Sequence, residues 1–75
     1  MKENRLKDLR EDNDLYQKDI AKILNTTQAQ YSLYETGLRT MPIQLLIKLA
    51  KYYDVSLEYL TGISNIKNHY PKDKG

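Results

Sequence analysis

The sequence has no cysteine, and its aromatic residues are tyrosine alone, seven of them, with neither phenylalanine nor tryptophan. Without cysteine, no disulfide framework and no thiolate metal site can form. This composition fits a reducing compartment, so we expect a cytoplasmic protein. The tyrosines must also supply the aromatic bulk of the core, and we expect Tyr31 and Tyr34 to serve there rather than as base-stacking platforms.

Long apolar segments are also missing. The longest stretch, residues 43–50, is interrupted by Gln44 and Lys48, and it is too short and too polar to span a bilayer. The chain starts with charged residues rather than the uninterrupted apolar run that a signal peptide needs. We therefore expect neither a membrane span nor a cleaved leader.

Catalytic motifs are lacking too. The 75 residues suffice for one domain, and a chain of this size buries only about 60–65% of its unfolded surface. There is little room for a deep catalytic pocket, and we find no glycine-rich phosphate loop, no metal-ligand cluster and no nucleophile paired with a histidine. We expect a protein that is not an enzyme and needs no cofactor, metal or small-molecule ligand, with His69 as a solvated surface residue.

Helix breakers are scarce, with two prolines and three glycines, and no segment alternates at period two. Leucine, isoleucine and alanine recur at helical spacing instead, which favours an all-α fold. The pattern is strongest after Pro42, which suits the first turn of a helix. We predict helices over about residues 2–13, 17–24 and 28–36, a fourth from residue 42, and a short fifth that ends at Gly62.

Local signals mark the helix ends. Asn25 and Gly37 suit left-handed helix termini, Thr27 suits an N-cap, and either Asp54 or Ser56 caps the last helix. Residues 1–62 are then one domain and residues 63–75 a polar tail. The apolar periodicity predicts this core: Leu6, Leu9, Ile20, Ala21, Leu24, Tyr31, Tyr34, Leu45, Leu46, Leu49, Ala50, Val55, Leu57 and Leu60.

The most informative segment is residues 17–37, where two short helices are joined by a three-residue turn, residues 25–27. The small Ala21 lies where the helices must approach closely, and the second helix opens with polar residues after Thr27. A tight, capped corner and an amide-rich helix start are what a helix-turn-helix needs to enter the major groove of DNA.

An ordered set of short matches over about residues 3–62 supports the same interpretation: Leu9-Arg10, Gln17, Ile20-Ala21, Thr27-Gln28, Tyr31-Ser32, Tyr34-Glu35-Thr36-Gly37, Pro42, Leu46, Leu49-Ala50 and Val55 to Leu60. Together they resemble the lambda-repressor-like, Cro-type helix-turn-helix family, also called the XRE family. The resemblance implies a compact five-helix bundle that binds double-stranded DNA, usually as a homodimer on a two-fold symmetric operator. The leading hypothesis is a transcriptional regulator, most simply a repressor of phage or mobile-element origin.

The resemblance also implies roles for individual residues. Positions that face base edges are held by Gln28, Ala29, Ser32 and Leu33. Positions near phosphates are held by Gln17, Lys18, Thr27, Gln30, Arg39 and Thr40. Gln17 is expected to bind phosphate through its side chain and the nearby backbone amides. Arg10 and Glu35 match a buried ion pair, and Glu35 needs a cation because it opposes its helix dipole. For a weak homodimer we expect an interface at Val55, Leu57 and Tyr59.

Charge keeps a second hypothesis open. The net charge is only +2, and residues 16–44 carry three basic and two acidic side chains. The sequence also departs from the family pattern, with Tyr16 in place of a serine or threonine cap and Leu33 where a polar residue is common. The alternative is an antitoxin-like protein-interaction module in which DNA binding is secondary.

Overall fold

Five α-helices form the described part of the chain, residues 4–71 of the computed structural model. They are α1 Leu6–Asp12, α2 Gln17–Ile23, α3 Gln28–Thr36, α4 Ile43–Tyr53 and α5 Leu57–Thr61. No strand occurs among these residues, so the predicted all-α, five-helix fold is confirmed. Over the same range, no helix has the length and apolar character to cross a membrane.

The first helix begins later than the sequence pattern predicted. It starts at Leu6, whereas the predicted start at residue 2 lies outside the described residues. The side-chain oxygen of Asn4 accepts a hydrogen bond from the Leu6 amide at 2.9 Å. Asparagine competes with the helix for backbone amides in this way, so it favours a turn at this point. At the other end, Asp14 has a left-handed φ of 57° that turns the chain towards α2.

The corner between α2 and α3 has the predicted turn chemistry. Asn25 is left-handed, with a φ of 57°, and the Thr26 amide donates to the Ala21 carbonyl at 2.9 Å. The Thr27 hydroxyl accepts from the Gln30 amide at 3.1 Å and caps α3. Because both ends of the turn are fixed by local hydrogen bonds, α2 packs closely against α3.

Two left-handed glycines end helices as predicted, Gly37 after α3 and Gly62 after α5. The two candidate caps for α5 have separate roles. Ser56 caps α5 by accepting from the Tyr59 amide at 3.2 Å, whereas Asp54 ends α4 with a left-handed φ of 55°. Pro42 lies immediately before α4 rather than in its first turn.

The core lies between all five helices, and most of it was predicted. Leu45, Leu46 and Leu57 are only partly buried, because a bundle this small cannot cover every apolar face. Met41 is buried but was not predicted, since it lies in the α3–α4 loop outside any helical periodicity. The buried apolar side chains among the described residues are Leu6, Leu9, Ile20, Ala21, Leu24, Tyr31, Tyr34, Met41, Leu49, Ala50, Val55 and Leu60.

The segment after α5 lies against the bundle as far as it is described, through residue 71. The Ser56 amide donates to the Asn68 carbonyl at 2.9 Å. Arg5 Nη2 donates to the Ser64 carbonyl at 3.1 Å and to Asn65 Oδ1 at 2.6 Å. These bonds attach the segment to both ends of the domain.

Asp54 receives the last part of this segment. Its Oδ1 accepts from the Tyr70 amide at 3.2 Å, and its Oδ2 lies 2.6 Å from Nδ1 of His69. The His69 side chain is exposed. The Tyr70 ring packs on the core and lies 5.6 Å from Nζ of Lys51.

Candidate nucleic-acid interface

One face of α3 is turned away from the core. Tyr31 and Tyr34 are buried and hold the helix in place. On the other side the four residues predicted to read bases share a surface, as their spacing of one and four positions requires. Of these, Gln28 and Ala29 are exposed and Ser32 and Leu33 are half-buried.

The residues predicted near phosphates differ in their surroundings. Lys18, Thr27, Arg39 and Thr40 are exposed, and Gln17 and Gln30 are half-buried.

Thr27 and Gln30 also stabilise α3 itself. The Thr27 hydroxyl accepts the capping bond, and Gln30 Nε2 donates to the Tyr34 hydroxyl at 3.0 Å.

A cavity of about 330 Å³ lies where α2 and α3 begin, and its lining residues are Arg10, Tyr16, Gln17, Lys18 and Gln28. We call this surface the α2–α3 groove. It brings together Gln17, Lys18 and Gln28, so residues predicted to touch phosphate and residues predicted to touch bases meet at one concave surface.

Arg39 and Thr40 lie in a different place. They line a separate cavity of about 290 Å³ together with Asn4, Met41 and other residues of the α3–α4 loop and its neighbours. A ligand that followed α3 from end to end would therefore meet the α2–α3 groove first and these two residues beyond it.

Arg10 and Glu35 are in contact beneath the groove. Arg10 Nε donates to Glu35 Oε2 at 2.6 Å, and Nη2 donates to Oε1 at 3.2 Å. The side chains are only 11% and 4% exposed. Arg10 Nη1 also donates to the Leu15 carbonyl at 2.9 Å. The pair thus joins α1, α3 and the loop before α2.

Glu35 has a second partner that the sequence did not reveal. Gln17 Nε2 donates to Glu35 Oε1 at 3.0 Å. Burial by itself would raise the pKa of Glu35, but the neighbouring side chains of Arg10, Tyr31 and Gln17 outweigh burial and lower the pKa below its ordinary value. Glu35 is therefore an anion at neutral pH, and it bonds simultaneously to the arginine and to the first residue of α2.

The start of α2 is capped without the usual serine or threonine. The Tyr16 amide donates to Asp19 Oδ2 at 2.8 Å. This contact is the reciprocal half of a capping box, with an acid at the third helical position. In the sequence, the acid Asp19 at the third position of α2 is the feature that indicates this cap. The Tyr16 ring is thereby left exposed beside the groove, 5.7 Å from Nζ of Lys18.

The structure corrects one predicted interface residue. Val55 is completely buried in the monomer, because it packs inward before α5, and so it has no surface to offer a second chain. Leu57 and Tyr59 are half-buried. The Tyr59 ring is further covered by the Arg5 guanidinium, 4.3 Å from its centroid.

Residues 6–60 match the helix-turn-helix family, which covers most of the chain. The chain belongs to this helix-turn-helix family. The match confirms the family expected from the sequence, and it includes the α2–α3 corner, the groove and the ion pair beneath it.

Two curated relatives come from Bacillus subtilis (strain 168). This helix-turn-helix protein is 31% identical over 61 residues to the HTH-type transcriptional regulator YobD and 40% identical over 63 residues to the HTH-type transcriptional regulator YqaE. The matches cover 81% and 83% of this chain and 54% of each relative. The chain thus spans about half the length of the curated relatives it matches. No solved structure is significantly similar to it.

Proposed function

We propose that this helix-turn-helix protein binds double-stranded DNA in a sequence-specific manner and regulates transcription, with α3 as the recognition helix. The observation that carries the proposal is the placement of α3. Buried Tyr31 and Tyr34 hold it on the core, while Gln28 and Ala29 stand exposed at its leading end. A capped, exposed helix start of this kind is the element that enters the major groove in this class of motif. The names of the two relatives support the same function.

Base reading is assigned to the exposed face of α3. Gln28 can donate and accept at once, which matches the N6 and N7 edge of adenine in the major groove. Ala29 and Leu33 are apolar and suit the methyl group of a neighbouring thymine, and the Ser32 hydroxyl can pair with several base edges.

Phosphate binding is assigned to both ends of this surface. Gln17 and Lys18 act from the α2–α3 groove, and Arg39 and Thr40 act from the loop after α3. Thr27 and Gln30 complete the proposed set. A hydroxyl that accepts one bond, as Thr27 does in capping α3, still carries its own hydrogen to donate.

The number of cationic contacts to phosphate sets how this binding responds to salt. Each phosphate neutralised by a lysine or arginine contributes about 0.9 to the slope of log affinity against log salt. With Lys18 and Arg39 as the proposed cationic contacts, each monomer contributes a shallow slope of about 2. Gln17 and Gln28 are neutral, so their contacts add affinity without adding to the slope.

The finer features belong to the same proposal. We propose a repressor that acts in the cytoplasm, without catalysis, cofactor or small-molecule ligand, as a weak homodimer on a two-fold symmetric operator. Leu57 and Tyr59 are the proposed dimer contacts, since Val55 is buried. Sedimentation should detect weak self-association in free solution that strengthens on a duplex with two half-sites. A strict monomer that binds single half-sites without cooperativity would contradict the dimer.

The test of the function is selection of bound duplexes from a random library, followed by affinity measurements at two salt concentrations with random-sequence competitor. A selected duplex should bind at least about 10³-fold more tightly than random DNA. If no duplex is enriched and low salt produces no binding, the proposal is wrong. An antitoxin-like module that acts on another protein and has lost DNA binding would give that result.

A further inference from the structure

We propose that Glu35 is a positioning residue for DNA binding: its carboxylate fixes the side-chain amide of Gln17 so that the amide presents N–H, rather than its carbonyl oxygen, to a DNA phosphate. The inference rests on the proposed function and deepens it. It explains how a buried acid beneath the α2–α3 groove serves the binding of a polyanion.

The contact with Glu35 fixes the orientation of the Gln17 side-chain amide. A glutamine side chain has an acceptor oxygen and a donor NH2 group of nearly equal size, so it can rotate to present either one. An ionised carboxylate only accepts hydrogen bonds, and so the 3.0 Å contact between Gln17 Nε2 and Glu35 Oε1 settles the orientation. One hydrogen of the NH2 group bonds to Glu35, and the second remains on the same nitrogen. A phosphate oxygen also only accepts, so it requires this orientation.

Glu35 is itself held rigidly by Arg10. Glu35 is 4% exposed and receives two hydrogen bonds from Arg10, which itself bonds to the Leu15 carbonyl. The amide of Gln17 is therefore held by a continuous chain of hydrogen bonds that begins at backbone. A side chain ordered before binding loses less conformational entropy when the ligand arrives, so the contact contributes more to affinity.

The negative charge of Glu35 separates positioning from simple electrostatics. Glu35 is an anion close to a surface proposed to bind phosphate, so long-range electrostatics alone would make its neutralisation favour DNA binding. Positioning predicts the opposite. In Glu35→Gln the new side chain has a single acceptor oxygen, which the charged Arg10 attracts. The new NH2 group then faces Gln17 and favours the flipped amide, with its oxygen towards the phosphate.

The experiment is a double-mutant cycle on DNA affinity. The probe is a random-sequence duplex of about 30 base pairs, which is about three helical turns, because a phosphate contact does not depend on sequence. Glu35→Gln should weaken binding about tenfold, the order expected for one charge-assisted hydrogen bond. Gln17→Met keeps the length of the side chain but removes its donor. In that background Glu35→Gln should cause no loss, or a slight gain from the removed negative charge.

The matched control is Gln28→Ala, which alters the same groove from α3. In the double mutant, the fold-losses of DNA affinity caused by Gln28→Ala and by Glu35→Gln should simply multiply, because the two side chains act independently. If Glu35→Gln weakens binding equally with and without Gln17, then Glu35 acts through the fold and the inference is wrong. Unchanged or tighter binding of Glu35→Gln in the wild-type background would also overturn it. If wild-type protein binds no duplex even at low salt, the proposed function fails, and the inference fails with it.

A measurement on the wild-type protein covers the case in which Glu35→Gln does not fold. The side-chain NH2 signals of Gln17 and Gln28 are compared by NMR in the absence of DNA. One Gln17 proton should be shifted downfield and exchange more slowly with solvent than those of Gln28, because Glu35 holds it. Indistinguishable signals from the two side chains would contradict positioning by Glu35, whatever the DNA affinity.

Discussion

Arg10 Nε lies 2.6 Å from Glu35 Oε2 and joins α1 to the end of α3, 25 residues later in the sequence. Glu35 lies in the last turn of α3, where the helix dipole disfavours a negative charge. Arg10 compensates that charge from outside the helix. The angle at which α3 meets the rest of the bundle is thereby tied to α1.

Removing one member of this pair should strongly destabilise the fold. Glu35→Ala leaves the Arg10 guanidinium mostly buried without its partner, and we expect the free energy of unfolding to fall by about 3–5 kcal/mol. Urea denaturation measures this loss. Glu11→Ala, at an exposed acid of α1, should change the stability by less than about 0.5 kcal/mol. A loss below about 1 kcal/mol for Glu35→Ala would mean that the pair behaves as an exposed one.

The Glu35 carboxylate should make the free energy of unfolding depend on pH in the acid range. The folded-state pKa of Glu35 is lowered, whereas an unfolded glutamate has a pKa of about 4.3. The unfolded chain therefore binds the proton first as pH falls, and stability decreases with it. The contribution of Glu35 should be complete above about pH 5 and be lost as pH falls through the folded-state pKa. Urea midpoints between about pH 2 and 7 should vary less in Glu35→Gln than in wild type; equal variation would contradict this assignment.

Leu49 on α4 should be one of the main contributors to the core. Its side chain is completely buried, and Leu49→Ala should cost roughly 2–4 kcal/mol through lost burial and the cavity left behind. Lys48→Ala, at the exposed neighbouring position, is the control and should be nearly neutral. A loss of less than about 0.5 kcal/mol for Leu49→Ala would show that this face of α4 is not the core face.

Truncation tests whether the segment after α5 belongs to the folded domain. A chain ending at Gly62 loses the Ser56–Asn68 hydrogen bond, the contacts to Asp54 and the packing of Tyr70. We expect it to be less stable by about 1–3 kcal/mol, the sum of a few modest contacts. A chain ending at Pro71 is the control and keeps all of these contacts. Equal stability of the two chains would place the domain boundary at residue 62, as the sequence pattern predicted.

Much of this fold could be predicted because its signals are local. The Thr27 cap and the left-handed Gly37 depend on residues within one helical turn, and both were correct. The buried stripe of α4 depends only on helical spacing. The predicted start of α1 was too early. The Asn4 side chain accepts a hydrogen bond from the Leu6 amide, and the helix begins only at Leu6.

What the sequence could not reveal depends on contacts between distant residues. Met41 is buried because neighbouring helices cover its loop, and no periodicity marks it. Val55 was predicted both in the core and at the dimer interface, and only the packing of the helices shows that its side chain is completely buried. The bond from Gln17 to Glu35 spans 18 residues and leaves no pattern at all. Gln17 and Glu35 come within hydrogen-bond distance only when α2 and α3 are packed together.

The most direct test of the central claim compares Gln28→Ala with Gln17→Ala on two duplexes, the preferred sequence selected from a random library and a scrambled version of it. Gln28 is proposed to read a base, so Gln28→Ala should cost about 1–3 kcal/mol on the preferred duplex and much less on the scrambled one. Gln17 is proposed to hold a phosphate, so Gln17→Ala should weaken both complexes alike. Equal losses on both duplexes for Gln28→Ala would contradict base reading by the leading end of α3.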